Sequence, residues 1–389
     1  MNIILHMGDP YPNESPAAKR IRAFYDVLTR QGHHVMVMAP KYGGEQPIPN
    51  VVYCPTIEMK KKTTLMRMVN QMSFAVSSVF CSGKAGKADV VLTTSPPVLI
   101  SQAGWLIAKM KGAKLVYDVR DIWPDVALEM GSFSEGSFFA KTFAWIRDFM
   151  LKHSNLVTAV SPGKVWKLKD YAPDAQVAFV TNGLDERFLD NEYHPETAEA
   201  YGLTDGFNCV YIGNLGWAQG LTQLMHLAER AKDQKMDARF VLFGSGVEED
   251  SLKQYAQEHG LNNVIFAGRL PNAEMYTVLK ASQLSFVSLV NENLKDSVPT
   301  KMFEALGVGC PVLLAAVGDA ADILNECGLG LAVSPNRDEA LWDAFLAMYD
   351  GLDGFLAKRE HARNVILEKY SRQKAALVLE KHLLEMIGE

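Results

Sequence analysis

SVPTKMFEALGVGCPVLLA, residues 297–315, holds a turn, a helix and a strand in one short stretch. A polar turn runs up to Lys301. A brief amphipathic segment follows, carrying the single carboxylate of Glu304. Glycines and a proline end it, and VLLA has the apolar run of a strand buried on both faces. A helix feeding such a strand is half of a βαβ unit, the building block of parallel sheets.

The same rhythm extends in both directions. Upstream runs NIILHM, HVMVMAP, VVYCP, DVVLTTS, KLVYDVR, LVTAVS and VAFVTN are spaced by helical patterns, such as SPAAKRIRAFYDVLTRQG with its terminal glycine. The rhythm restarts near residue 208 with CVYIG, RFVLFG, NVIFAG, LSFVSLV, PVLLA and GLAV. Between the two series lies the polar segment DNEYHPETAEAYGLTDG. The predicted fold is α/β, with two Rossmann-like, doubly wound parallel-sheet lobes and a cleft between them. The expected domains are 1–195, 196–370, and a C-terminal helix within 371–389 that returns to the first lobe.

Composition agrees with a globular chain of two domains. Of 389 residues, 48% are hydrophobic and 22% charged. No run of about 18 uncharged apolar residues occurs, which excludes a spanning helix. MNIILHMGDPYP lacks a basic leader and a long apolar core, so no secretory signal is expected, and the chain is placed in the cytoplasm. Five scattered cysteines without a CxxC pair read as buried thiols. Residues 1–195 carry 22 basic and 18 acidic side chains; the remainder carries 17 and 27. The first lobe is the one suited to an anionic partner; nucleic acid is not expected.

Ligands of such sheets bind outside the carboxyl ends of the strands. The first-lobe exits are MGDPYP, TTSPP, YDVRDIWPD, VSPG and TNGLDE. Those of the second are IGNLGWAQG, FGSGVEED, AGRLP, SLVNENLKDSVPTK and AAVGDA. Glycines crowd the second set, as close backbone approach to a phosphate requires. No GxGxxG follows the first strand, which argues against a dehydrogenase. GxxxxGK[ST], GxSxG, HExxH and Cys/His ligand sets are also absent, and no metal site is expected.

Read in order, GHHVMVMAP, AVSPGKVWKL, VTNGLDERF, GNLGWAQGL, LFGSGVEEDSLK, FAGRLPNAEMYTVLKASQLSFVSL and KMFEALGVGCPVLLA resemble the family-four retaining glycosyltransferases of the GT-B fold. The resemblance spans nearly the whole chain. It is strongest to the bacterial O-antigen and capsule branch that includes N-acetylfucosaminyl transferases. It implies transfer of a sugar, an N-acetylated amino sugar in that branch, from a nucleotide donor, expected to be UDP-linked, to a glycan on a lipid diphosphate, with retention and without a required cofactor or metal. The DxD of the other large glycosyltransferase fold is absent. A sugar-nucleotide 2-epimerase of the same two-lobe fold and a non-catalytic sugar-nucleotide-binding protein are the alternatives.

The resemblance also assigns residues. Glu304 matches the second acid of the family's E-x7-E motif, which binds the ribose hydroxyls; charge-assisted hydrogen bonds of this kind contribute about 1.5–3 kcal/mol each. The first position is Asp296 here, so either its shorter carboxylate or the backbone around Val298–Thr300 would meet the donor sugar. Where family members carry Arg and Lys after the first strand of the second lobe, this chain has Asn214 and Gln219. Lys301 and Arg269 are then the expected partners of the diphosphate, helped by backbone amides of Gly213–Gly216 and by the close approach at Gly244. In the first lobe Asp118, with Asp121 next, aligns with the family's donor-contacting residue; a structural pairing of Asp118 with Arg120 is the competing reading. Gly8 would admit the donor, Asn13–Ser15 would cap the following helix, and Asn182 would lie at the lobe junction. Segment 58–80, EMKKKTTLMRMVNQMSFAVSSVF, is too short and polar to span a bilayer but suits its anionic surface.

Overall fold

Runs of Val, Ile, Leu and Phe without alternation become strands covered on both faces by helices. The structure, a computed structural model, describes residues 1–43, 46–59 and 63–388. It divides into two compact units: Met1–Asn182 together with Arg372–Glu389, and Gly183–Ser371.

The first unit is built on seven strands, β1 (Asn2–His6), β2 (His34–Lys41), β3 (Val51–Pro55), β4 (Val90–Ser95), β5 (Lys114–Val119), β6 (Leu156–Ala159) and β7 (Val177–Phe179). They lie in the order β3-β2-β1-β4-β5-β6-β7, every neighbour parallel. The first helix, Pro16–Arg30, starts where the sequence places it. Ser15 accepts from the Ala18 amide at 3.2 Å, and Pro16 occupies the first turn. Gly32, just beyond the helix, takes φ +86°, where a side chain would be strained. One face of the sheet buries Ile21, Phe24 and Leu28 of this helix with Ala376, Leu379 and Leu383 of the C-terminal helix Arg372–Ile387. The other buries Phe74, Ile107 and Met150 from helices Thr64–Cys81, Ser101–Lys111 and Phe138–His153.

The second unit repeats the plan with β8 (Phe207–Ile212), β9 (Ala238–Phe243), β10 (Val264–Gly268), β11 (Leu284–Ser288), β12 (Val312–Ala315) and β13 (Gly330–Val333). The order is β10-β9-β8-β11-β12-β13, again all parallel. In both sheets the order reverses beside the first strand, between β1 and β4 and between β8 and β11. Such a reversal leaves a crevice at the strand carboxyl ends. Residues 297–315 hold the end of the β11-to-β12 crossover, with its helix at Thr300–Val308, and β12 itself.

The division falls at 182/183, earlier than the expected 195/196. The reason is local pairing: the Leu184 amide donates to the Tyr370 carbonyl at 2.8 Å, and the Ser371 hydroxyl donates to Glu186 Oε1 at 2.6 Å. Gly183 is held so tightly that a Cβ would lie 1.7 Å from the Tyr370 oxygen. These contacts attach residues 183–195 to the second unit. All five cysteines are buried as free thiols. Among the described residues no helix is long and apolar enough to cross a membrane.

Candidate active site

At the switch point of the second unit, Tyr211 is the penultimate residue of β8 and fully buried. Its hydroxyl donates to the Asn214 carbonyl at 2.7 Å, which closes the loop that follows. The same hydroxyl accepts from Lys301 Nζ at 2.8 Å, and the ammonium lies 3.9 Å from the centre of the Tyr211 ring. Lys301 stands in the first turn of helix Thr300–Val308 because the β11-to-β12 crossover starts that helix at Pro299. Burial pushes Lys301 down to about 7, while the Glu304 carboxylate one turn later pulls the other way. Burial raises the Tyr211 phenol, and the nearby Glu248 carboxylate raises it further.

Two glycines make room for this arrangement. Gly213 has φ +153°, and a Cβ on it would sit 2.8 Å from Lys301 Nζ. Gly244, at the exit of β9, has φ +147°, and its Cβ would lie 1.7 Å from the Gly213 oxygen. The amides of this loop are less available than the sequence suggests. Gly213 donates to the Phe243 carbonyl at 2.9 Å, Leu215 to Ser245 at 3.1 Å, and Gly244 to Gly268 at 2.7 Å. The expected amide cradle over Gly213–Gly216 is therefore partly spent in extending the sheet. No long helix starts there either; Trp217–Gln219 is a single 3-10 turn.

Arg269, exposed at the end of β10, donates from Nε to the Ser245 hydroxyl at 2.9 Å, which leans it toward the β9 exit. Gln219 lies at the β8 and β11 exits, where its carbonyl accepts from Ser288 at 2.5 Å. Its Oε1 is buried without a hydrogen-bond partner among the described residues, and so is Glu248 Oε2. Burial raises the Glu248 carboxyl. Asn214 turns its amide toward Gly216, whose Cβ would meet Nδ2 at 2.4 Å. Asp296 is buried in the loop before the helix, Thr300 opens the helix, and Glu304 is half-buried on its second turn. The second unit thus gathers most of the expected residues on adjacent strand exits. Tyr211, Ser245 and Glu248 join them unpredicted. Tyr211 lies inside a strand run, where an aromatic reads as core, and its hydroxyl's direction is invisible in sequence.

The first unit departs more from expectation. Asp118 has no exposed surface. Arg20 donates to it from Nε at 3.2 Å and from Nη2 at 2.8 Å. Thr94 and Thr158 donate their hydroxyls at 2.9 and 2.6 Å. Burial works against this carboxylate, but Arg20 and the Thr158 hydroxyl hold it below the usual range. Asp118 is a structural anion here, and its partner is Arg20 rather than Arg120. Arg120 instead donates to Thr94 Oγ1 at 3.1 Å and pairs with Asp9 at 3.8 Å. Asp121 is half-buried beyond β5. Gly8 sits at the β1–β4 switch point, where a Cβ would meet Pro97 at 2.8 Å. Its lack of a side chain serves packing against the β4 exit. Asn182 Oδ1 is buried without a partner among the described residues. Among those residues, no three His, Cys, Asp or Glu side chains cluster as metal ligands.

Comparison with known proteins locates the same two halves. Residues 17–183 match the glycosyl transferase 4-like domain family, and residues 196–363 match the family of glycosyl transferases group 1. WcaI of Escherichia coli (strain K12), assigned as a glycosyl transferase of colanic acid biosynthesis, is 25% identical over 375 residues, covering 88% of this chain and 90% of its own. The Anabaena protein HepE, solved in complex with UDP and glucose, superposes with a TM-score of 0.75 at 16% identity over 99% of this chain and 100% of its own. WaaG, a glycosyltransferase involved in lipopolysaccharide biosynthesis, gives 0.72 at 15% identity over the full length of both. With a 4-like domain in its first half and a group 1 domain in its second, on two sheets of the GT-B type, the chain belongs to the glycosyltransferases.

Proposed function

We propose that this glycosyltransferase moves a sugar, an N-acetylated amino sugar in the preferred reading, from a UDP-linked donor to a glycan carried on a lipid diphosphate in bacterial surface-polysaccharide synthesis, with retention. The observation that carries the donor side is Lys301, brought by its helix to the β8 exit within 2.8 Å of Tyr211. Glu304 follows one turn later, in reach of a vicinal diol if the phosphates lie at Lys301. Asp296 or the backbone at Thr300 would meet the sugar, and Arg269 would meet the diphosphate from the β10 side. HepE, of the same fold, was solved with UDP, and WcaI and WaaG are named for surface-polysaccharide pathways. In this reading the leaving phosphate oxygen takes the acceptor proton. Catalysis then rests on positioning and on stabilising leaving-group charge, with no strong protein base required.

The acceptor side of the proposal places the enzyme at the cytoplasmic face of an anionic membrane. Three neighbouring helices on one face of the first sheet turn apolar side chains outward. Leu65, Met72, Val76 and Phe80 lie on Thr64–Cys81, Met110 on Ser101–Lys111, and Phe138 and Trp145 on Phe138–His153. Phe80 is 83% exposed. A shallow groove of about 820 Å³ runs along helix Thr64–Cys81, between its outer stripe and Pro55–Ile57. Arg67, Lys84, Lys87, Lys109 and Lys111 lie on or beside these helices, and basic side chains favour an anionic surface. Lys60, Lys61 and Lys62, also expected at this surface, lie outside the described residues.

A donor screen tests the reading. Thermal stabilisation is measured with UDP, GDP and dTDP sugars, since a ligand at 100 times its Kd stabilises by about 2.7 kcal/mol. Stabilisation by UDP sugars, strongest with UDP-N-acetylhexosamines, is expected. Stabilisation by GDP sugars alone would refute the UDP assignment.

A further inference from the structure

We propose that Tyr211 is a positioning residue for the donor diphosphate: its hydroxyl and ring stand Lys301 at the β8 exit, and Lys301 gains a proton there when a nucleotide diphosphate binds. The inference rests on the nucleotide-sugar reading above and names the device by which that site meets the phosphate charge.

The geometry fixes the direction of each hydrogen bond. The Tyr211 proton is committed to the Asn214 carbonyl at 2.7 Å, so a phenol lone pair faces Lys301. Lys301 is therefore the donor, held at 2.8 Å and lying over the ring. Gly213 lies beside it with φ +153°, a backbone conformation that favours glycine, and a Cβ there would push Nζ from its place at 2.8 Å. The loop after β8 has no cation of its own, because Asn214 and Gln219 are neutral. Two of its amides are spent on the β9 exit. A diphosphate at this exit meets Lys301 on one side and Arg269, leaning on Ser245, on the other.

Among the described residues, a carboxylate acts on each member of this pair. Glu304 acts on Lys301 from its own helix. Glu248, ahead of helix Glu249–Glu258, acts on Tyr211. Burial opposes the ammonium while the site is empty. An arriving dianion reverses the balance, because an opposite charge close by favours the charged form. The proton comes from solvent, the Lys301 amine becomes an ammonium, and no covalent bond changes. Tyr211 keeps the nitrogen at the exit in either state, so the charge appears where the leaving group needs it.

Titration calorimetry with UDP-glucose, or with GDP-mannose if only that binds, is run at pH 6 and pH 8.5 in two buffers of different ionisation heat. Near-zero proton uptake is expected at pH 6, and uptake approaching about one proton at pH 8.5. Lys301→Met should abolish the uptake. Tyr211→Phe, which keeps the ring, should weaken affinity about tenfold and move the onset of uptake to lower pH, since the amine loses its acceptor. A residue serving only to pack β8 would leave that onset in place. Binding without uptake at pH 8.5, or an unchanged onset in Tyr211→Phe, overturns the inference while leaving the nucleotide-sugar reading intact. Failure of both sugar nucleotides to bind overturns that reading, and this inference with it.

Discussion

Arg20, on the first helix, clasps Asp118, on β5, through Nε at 3.2 Å and Nη2 at 2.8 Å, and neither side chain reaches solvent. The guanidinium also donates to the carbonyls of Thr181 and Val180, at 2.6 and 2.9 Å. One buried cation thus ties the first helix, β5 and the segment after β7 into a single unit. A buried charge without its counter-ion is costly, which makes the pair a sharp target.

Asp118→Asn keeps the shape but leaves Arg20 without its anion. The expected loss is about 3–5 kcal/mol of stability at neutral pH, measured by urea unfolding. The carboxyl is held below its ordinary value in the folded state. Its contribution is therefore present above the unfolded carboxylate range and lost as pH falls through the folded value, so wild type and mutant should converge in acid. Nucleotide affinity of the folded fraction should stay unchanged. A stable Asp118→Asn protein with impaired donor binding would restore Asp118 to the active site.

Glu304→Gln removes a charge from a half-buried helix position without changing its size. If it holds the ribose diol, UDP affinity falls by about 1–3 kcal/mol. Isothermal calorimetry decides the point. Unchanged affinity would return Glu304 to the role of a counter-ion for Lys301.

Lys301→Met should make the ligand-free protein more stable while disabling it. Lys301 is pushed down to about 7 by burial. The cost of burying the charge is fully present below that value and eases as pH rises from there toward the ordinary lysine value. The rise in Tm should therefore be larger at pH 6 than at pH 9, and turnover should fall more than nucleoside binding does. A lower Tm at pH 6 would show that the ammonium is well solvated.

Vesicle co-sedimentation tests the membrane face. Replacing Lys60, Lys61 and Lys62 with Gln should weaken binding to anionic vesicles by about 1 kcal/mol per residue near the surface, an effect that salt screens. Replacing Met72, Val76 and Phe80 with Gln removes exposed apolar area instead, and should abolish the salt-resistant part of binding. These side chains are exposed, so folding should survive, as should activity on a short soluble acceptor. Equal binding by wild type and both variants at low salt would leave the segment as an ordinary covering helix.

The sequence alone determined the two parallel sheets, the strand exits and the cap at Ser15, because these follow from periodicity and turn chemistry within a few residues. It also marked Lys301, Gly213 and Gly244 at those exits, and Glu304 through the family motif that its flanks resemble. What it left undecided was which polar groups are already consumed. Asp118 and Arg120 are two residues apart in sequence, yet Asp118 pairs with Arg20, 98 residues away. Lys301 is fixed by Tyr211, 90 residues away and hidden in a strand run. Two amides of the β8 loop, those of Gly213 and Leu215, are taken by β9 and the turn beyond it. A buried polar group takes the partners its neighbours in space supply. Those neighbours arrive only when parallel strands and their crossovers bring distant segments together, and the tertiary structure therefore decided which charges serve the fold and which remain for a ligand.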